Sequence, residues 1–275
     1  MEVLFLGTGA SEGIPGVFCD CRICQNARKK GGKEKRLRTS VLLDGVMMID
    51  ASPDLIPITH KFNLKLNEMK YLLITHSHSD HLNAEDLGSR RWFWAPNPKL
   101  ETLNVYGNEV PVNMVKAKLE EYRSDHTATF QTVQDRVPFK LGEYTITPFA
   151  VEHMLNENCF TYLIEKDGKT YFHGTDSGEI LESTFEYLKE HKIHIDVYAI
   201  DCTYTFLTTN YGGHMNLLQN AKMKDRLTEI GAFDSSSRMI ATHIAMAGQA
   251  THKELVKEAK KYGIEVSFDG MKVKI

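Results

Sequence analysis

A chain of 275 residues is about two domains long by the usual length prior, yet one large sandwich can hold that many. With 42% apolar and 25% charged residues and a formal net charge of -3, it has ordinary globular composition and no general attraction to nucleic acid or an anionic membrane. No apolar run approaches the roughly eighteen residues of a membrane span, so no membrane partner is expected. In chain order, Glu2 to Leu6 reads as a first strand that runs into the turn Gly7-Thr8-Gly9. That turn lets backbone approach a neighbour closely, but no Gly-Lys-Ser/Thr follows, so it is not a Walker loop. The N-terminus has neither the basic stretch nor the cleavage pattern of a signal peptide, and cytoplasm is the expected location.

Cys19-Asp20-Cys21-Arg22-Ile23-Cys24 places three of the five cysteines within six positions. Such a knot suits a reducing compartment and can supply three corners of a tetrahedral zinc site. Three free thiols are the plainer reading, and both stay open. Arg28 to Arg38 mixes glycine with charge and reads as a mobile surface loop. Its functional alternative is an electropositive rim for a phosphorylated substrate, with Arg38 the candidate because it adjoins the strand Ser40 to Leu43. A hairpin at Asp44-Gly45 returns through Val46 to Ile49 and ends at Asp50, and helical turns follow around Ser52 to His60.

Tyr71-Leu72-Leu73-Ile74 reads as a short buried strand, and directly after it comes Thr75-His76-Ser77-His78-Ser79-Asp80-His81-Leu82. Imidazole nitrogens and carboxylate oxygens are ligands that zinc-like divalent ions prefer. In an extended turn His76 and His78 face the same side and can hold one ion. Asp80 and His81 are expected at the start of the next helix, His81 to Leu87, displaced toward a second ion. His-x-His-x-Asp-His after an apolar strand resembles the signature of the metallo-β-lactamase superfamily. The resemblance implies an α/β fold, a four-layer αβ/βα sandwich with two metals at one edge of the paired sheets, here as one domain over residues 1–275.

The resemblance also implies single ligands downstream. His153 ends an apolar-alternating run after the strand Tyr144 to Phe149, where the superfamily places its third histidine. A hairpin through Asp167-Gly168 leads to His173-Gly174-Thr175-Asp176, and Asp176 matches the bridging aspartate. Arg238 to Ala241 is the last buried strand before His243, the expected final ligand. Asp50 matches the acid that holds a metal-bound imidazole in its tautomer. The Cys knot behind a Gly-Thr-Gly opening resembles the phosphoribosyl cyclic phosphodiesterases of phosphonate breakdown, whose extra zinc takes a fourth ligand from a histidine three residues beyond the last catalytic one. Met246 stands there in this chain, with His252 as an alternative donor. Gly212-Gly213-His214 is expected to open a helix toward Glu229 and to give His214 the place of a catalytic histidine. Gly88 to Trp94 reads as a helix packing its aromatic face into the core, and the chain closes with a helix from Lys253 to Tyr262 and a hairpin around Asp269-Gly270.

The expectation is therefore a binuclear, metal-dependent hydrolase. His76, His78 and His153 would hold one ion and Asp80, His81 and His243 the other, with Asp176 between them. The two ions, zinc or manganese, would activate a bridging hydroxide to cleave a small cyclic or nucleotide-like phosphodiester. Asp80 and His214 are the expected catalytic residues and Cys19, Cys21 and Cys24 a site for one additional structural zinc. The alternatives are a tRNA 3′-processing endonuclease or a lactone or thioester hydrolase. Nucleic acid is not an expected partner, since no long Gly/Pro/Lys-rich arm interrupts the second half, and a homodimer is allowed for.

Overall fold

The computed structural model describes residues 1–96, 99–208 and 212–275. Each half of the chain builds one sheet, flanked by helices, except that the last strand crosses back to the first sheet. The first contributes β1 (Glu2–Gly7), α1 (Arg22–Lys30), β2 (Ser40–Leu43), β3 (Met47–Ile49), α2 (Leu55–Phe62), β4 (Tyr71–Leu73), α3 (Glu85–Gly88), β5 (Leu103–Gly107), α4 (Glu109–Glu121) and β6 (Ala128–Thr132). The second contributes β7 (Phe139–Leu141), β8 (Tyr144–Val151), β9 (Cys159–Lys166), β10 (Lys169–Gly174), α5 (Glu182–Glu190), β11 (Val197–Asp201), α6 (Leu217–Glu229), β12 (Arg238–Thr242), α7 (His252–Ala259), β13 (Ile264–Val266) and β14 (Lys272–Lys274).

The strand orders are β14-β1-β2-β3-β4-β5-β6 and β13-β12-β11-β10-β9-β8-β7. Each sheet is antiparallel on one side and parallel on the other: β3 to β6 run parallel, as do β10 to β13. Helices therefore lie in the parallel crossovers, and strands such as β1, with Val3, Leu4, Phe5 and Leu6 all buried, are apolar on both faces. Val3, Phe5, Val41, Leu43 and Ile49 meet Tyr144, Ile146, Tyr162 and Ile164 between the sheets. Leu4, Leu42, Met48 and Leu72 face α2 and α4 on one outer side. Phe172, Tyr198, Ile200 and Met239 face α5, α6 and α7 on the other, where Ile23 and Ala27 of α1 also pack. These three apolar layers between four structural layers make the αβ/βα sandwich that the motif implied.

Several local expectations are corrected. Residues 28–30 belong to α1, and Arg36, expected on a mobile loop, is buried. Its guanidinium donates to Thr8 Oγ1 at 2.7 Å and the Ser267 carbonyl at 2.8 Å and lies 3.0 Å from His252 Nδ1, so hydrogen bonds replace its lost hydration. Burial pulls its pKa down to about 10. After Gly88 no aromatic helix forms among the described residues: Trp92, Phe93 and Trp94 are 76%, 70% and 59% exposed, and Arg91 donates to the Tyr122 carbonyl at 2.7 Å. Nor is the C-terminus a hairpin. β13 pairs with β12 in the second sheet, while β14 pairs with β1 in the first. Asp269 fastens this crossover, accepting from Thr8 Oγ1 (2.8 Å), the Leu37 amide (2.8 Å) and Lys61 (3.1 Å).

Candidate metal centre

The site is assembled at the ends of β4, β8, β10, β11 and β12, where apolar strands give way to polar turns. The segment after β4 is an extended stretch and a tight turn, not the start of a helix. His78 O accepts from His81 N at 3.0 Å and Leu82 N at 2.9 Å, and α3 begins only at Glu85. Three residues hold left-handed backbones at strand ends: Asp50 (φ 62°), Asp176 (φ 49°) and His243 (φ 57°). L-residues adopt that region at a cost that packing must offset, and such outliers gather at functional sites.

Two ligand sets meet at Asp176. The first consists of His76, His78, His153 and Asp176. His76 Nε2 and His153 Nε2 each lie 3.0 Å from His78 Nδ1, and Asp176 Oδ2 lies 3.3 Å from His76 Nε2. The second consists of Asp80, His81, Asp176 and His243. Asp80 Oδ2 lies 3.5 Å from His81 Nε2 and 3.6 Å from His243 Nε2, and His81 Nε2 abuts the Asp176 carboxylate. All seven residues singled out from the sequence fall into these two sets.

The outer nitrogens are held by partners that fix ring orientation. Asp50 Oδ2 lies 2.6 Å from His81 Nδ1, and Asp50 also accepts from the Thr75 amide (2.8 Å) and hydroxyl, as the resemblance implied. Thr75 Oγ1 lies 2.9 Å from His76 Nδ1, and Thr203 Oγ1 lies 2.8 Å from His243 Nδ1. With one nitrogen occupied, the other is left to face an ion.

Asp201, at the end of β11, is a site residue that the sequence reading missed. Its Oδ2 lies 3.1 Å from His214 Nδ1 and 3.4 Å from His243 Nδ1 and accepts from Thr203 Oγ1 at 2.9 Å. His214 does not open a helix. It sits in the turn before α6, whose cap is Asn216, and its Nδ1 is 3.3 Å from Asp176 Oδ1. A close approach brings that turn in: a Cβ on Gly178 would lie 1.7 Å from the Gly212 carbonyl oxygen. Glycine at 178 is therefore required for the loop of Asp176 to pack on the turn before His214.

Electrostatics follow the same division. Burial raises the Asp176 carboxyl, but His243 and His81 overcome it and hold the pKa well below the ordinary value. Burial opposes charge on His243 too, yet Asp176 and Asp201 push it up to about 10, while His81 is raised well above its ordinary value by Asp176 and Asp50. Burial pulls His153 down to about 4, so it is a neutral donor. Protons on His81 and His243 thus balance the surrounding carboxylates, the positive charge that a bound cation would supply in their place.

The remaining expectations divide. Arg38 enters neither ligand set: its guanidinium forks onto Asp54, with Nε–Oδ2 at 3.1 Å and Nη2–Oδ1 at 2.9 Å. The sulfurs of Cys19, Cys21 and Cys24 lie within 4.8 Å of one another. His252 does not join them as a fourth donor: no histidine falls within that group among the described residues, and His252 Nδ1 faces Arg36. Burial opposes ionisation of the Cys21 thiol, but the Cys24 amide and the neighbouring thiols outweigh it and lower its pKa.

A family profile described as "Beta-lactamase superfamily domain" matches residues 46–244. The chain belongs to that superfamily, in its metallo-β-lactamase form. An octanoyltransferase of Porphyromonas gingivalis (strain ATCC BAA-308 / W83) is 27% identical over 164 residues, 56% of this chain and 31% of the relative. The alignment thus spans under a third of that relative's length. Among solved structures, a diphosphatase of the PhnP family superposes with a TM-score of 0.78 at 21% identity, over 100% of this chain and 97% of its own. Zn(2+)-bound PqqB from Methylobacterium extorquens gives 0.77 at 18% identity, over 100% of both chains. Human tRNase Z, short form, gives 0.68 at 15%, over 100% of this chain and 99% of its own. At these identities the likeness is one of fold.

Divalent metal ions are implied by this family, and the residues fit them. His81 Nε2, His243 Nε2 and Asp176 Oδ1 are buried side-chain atoms that make no hydrogen bond among the described residues. Buried polar atoms that make no hydrogen bond are costly, and divalent ions held in this cluster would offset that cost. No described helix is long and apolar enough to cross a membrane.

Proposed function

We propose that the chain is a metal-dependent phosphodiesterase acting on a small cyclic or nucleotide-like phosphodiester. The observation that carries this is Asp176. Its Oδ2 lies 3.3 Å from His76 Nε2 in the first set and against His81 Nε2 in the second, so one carboxylate serves both ligand sets. Two ions that share a carboxylate would supply Lewis acidity to a phosphoryl oxygen and lower the pKa of a water. Around them the chain's own residues do the rest. Asp50, Thr75 and Thr203 orient the imidazoles, Asp176 and Asp80 supply the negative charge, and His214, held by Asp201, is placed to give a proton to a departing alkoxide. A groove lined by His153, Leu155, Glu157 and Gly213 opens beside the first set and offers room for the ester group. The likeness in fold to a PhnP-family diphosphatase and to tRNase Z supports phosphorus chemistry.

The test is a substrate panel with manganese- and zinc-loaded protein. Bis(p-nitrophenyl) phosphate should turn over faster than p-nitrophenyl phosphate, and both faster than lactones or β-lactams. Turnover of lactones, thioesters or β-lactams alone would overturn the reading. Metal analysis of Asp176→Ala should show occupancy well below that of wild type, whereas retention of two ions would sink the shared-carboxylate assignment.

A further inference from the structure

Four sulfur atoms gather at the start of α1, away from the histidine–aspartate cluster. Cys21 is the cap residue of α1, Cys24 lies in its first turn and Cys19 precedes the cap. None of the three forms a disulfide. The fourth sulfur comes from 222 residues along the chain, Met246 Sδ at 3.3 Å from Cys24 Sγ. Room for it depends on Gly16, where a Cβ would lie 2.5 Å from the Met246 methyl carbon and 3.3 Å from its sulfur. Gly16 also directs its amide at Cys24 Sγ at 3.3 Å. Arg28 pins the same loop by donating to the carbonyls of Gly16 (3.3 Å) and Cys19 (2.7 Å).

Apolar packing alone explains a methionine against a glycine, but not a thioether sulfur in contact with one of three mutually clustered thiols. Sulfurs about 2.3 Å from a central ion in a tetrahedron stand about 3.8 Å apart, so the 4.8 Å bound on the three thiols and the 3.3 Å from Cys24 to Met246 are compatible with one ion. Donor type then decides which ion. Three thiolates and an imidazole suit zinc, and among the described residues no histidine joins the three thiols. Soft thiolates serve both Cu(I) and zinc, but a thioether in place of the imidazole is neutral and soft, a poor donor to a borderline dication, and tips the set toward Cu(I).

We infer that Cys19, Cys21, Cys24 and Met246 form a metal site that prefers Cu(I) to zinc, with Met246 as the residue that sets the preference. Binding exchanges thiol protons for the cation and releases them to solvent. Copper enters and stays as Cu(I), so no electron is transferred. An occupied site ties the turn after β12, which carries His243 three residues before Met246, to α1. It does not depend on the reaction proposed above.

The test is anaerobic competition of the purified full-length chain against a Cu(I) chelator and, separately, a zinc chelator, with X-ray absorption to identify the ligand shell. Wild type should retain one Cu(I) in a sulfur-only shell. Met246→Leu, similar in shape but without sulfur, should keep its circular dichroism spectrum and lose Cu(I) retention by about tenfold or more, the scale of losing a metal's support. Met246→His should reverse the preference toward zinc. The triple Cys→Ser variant should lose the sulfur-bound ion and keep the ions bound by nitrogen and oxygen. Retention of Cu(I) by Met246→Leu at wild-type strength would overturn the inference. So would a wild-type chain whose sulfur site holds zinc in preference to Cu(I), or holds no ion.

Discussion

His214 stands where two functions compete for one imidazole. Its Nδ1 is held by Asp201 Oδ2 at 3.1 Å and Thr203 Oγ1 at 3.2 Å. Burial works against its charge, but the hydrogen bond and charge of Asp201 outweigh it and raise its pKa. An imidazole so held keeps its proton near neutrality, as an acid for a leaving alkoxide must. His214→Ala should keep its metals and lose about 10²–10⁴-fold in kcat on esters with poor leaving groups, the usual scale of a lost general acid. The loss should nearly vanish for nitrophenolate, which departs unaided. An equal loss on both would make His214 a positioning residue. Of the seven candidate ligands, His76, His78, Asp80 and His81 were legible in their own spacing after an apolar strand, while His153, Asp176 and His243 were placed only by the resemblance which that motif carries. Asp201 was not legible, because one aspartate followed by a cysteine has no spacing signal. It acquires a role only when β11 lies between β10 and β12 and sets it beside Asp176 and His243. For Arg38 the charge was visible in the sequence, while its partner Asp54, sixteen residues on, was not.

Elements place these side chains, and the loops between them carry information that periodicity misses. The segment 152–158 between β8 and β9 holds His153 at one end and Glu157 at the other. Glu157 Oε1 accepts from the Ser77 amide at 2.9 Å and Asn108 Nδ2 at 2.7 Å, while Oε2 accepts from the Ser77 hydroxyl. Asn108 also caps α4 through the Val110 amide at 2.8 Å. One carboxylate therefore ties the turn of His76 and His78, the loop of His153 and the start of α4. Glu157→Ala should weaken metal retention in the His76/His78/His153 set by about 10–100-fold, the range for residues that support ligands. The Asp80/His81/His243 set should change much less, and Glu157→Gln should fall between. Competition with a graded series of chelators separates the two ions, and equal loss from both would sink this role. Where caps reinforced periodicity, the elements were legible: α6 and α7 start at capping boxes of Asn216 with Gln219 and Thr251 with Glu254. Asp80 and His81 were expected to start a helix without any such cap, and the Asp80 carboxylate faces His81 and His243 instead. Asp269-Gly270 is a true turn, with Gly270 at φ 95°, yet a turn signal does not say to which sheet the next strand returns.

Across the whole molecule, the two sheets must stay in register for ligands from both to meet. Tyr162 of β9 donates to the Ile74 carbonyl at 2.7 Å, linking the second sheet to the segment just before His76. Nearby, His173 of β10 is buried, its ring between Tyr171 OH (3.0 Å) and Thr175 Oγ1 (3.1 Å). Burial pushes its pKa down to about 4 from the ordinary 6.5. A histidine depressed in the fold is protonated first in the unfolded chain. Its contribution is therefore complete above pH 6.5 and is lost as pH falls from 6.5 toward 4, where both states carry the proton. A shift of this size corresponds to about 3 kcal/mol in full, and about 2 kcal/mol of it is gone by pH 5. His252, pushed to about 4 by burial and then by Arg36, acts in the same direction, less strongly because it is more exposed. His173→Gln cannot take up that proton. In urea unfolding at pH 7.5 and pH 5, the variant should be less stable than wild type at the higher pH. Its further loss on acidification should be smaller by about 2 kcal/mol. Acid-sensitive metal ligands are common to both proteins and cancel in that difference. Equal acid losses would mean that His173 does not set the acid limit of the fold.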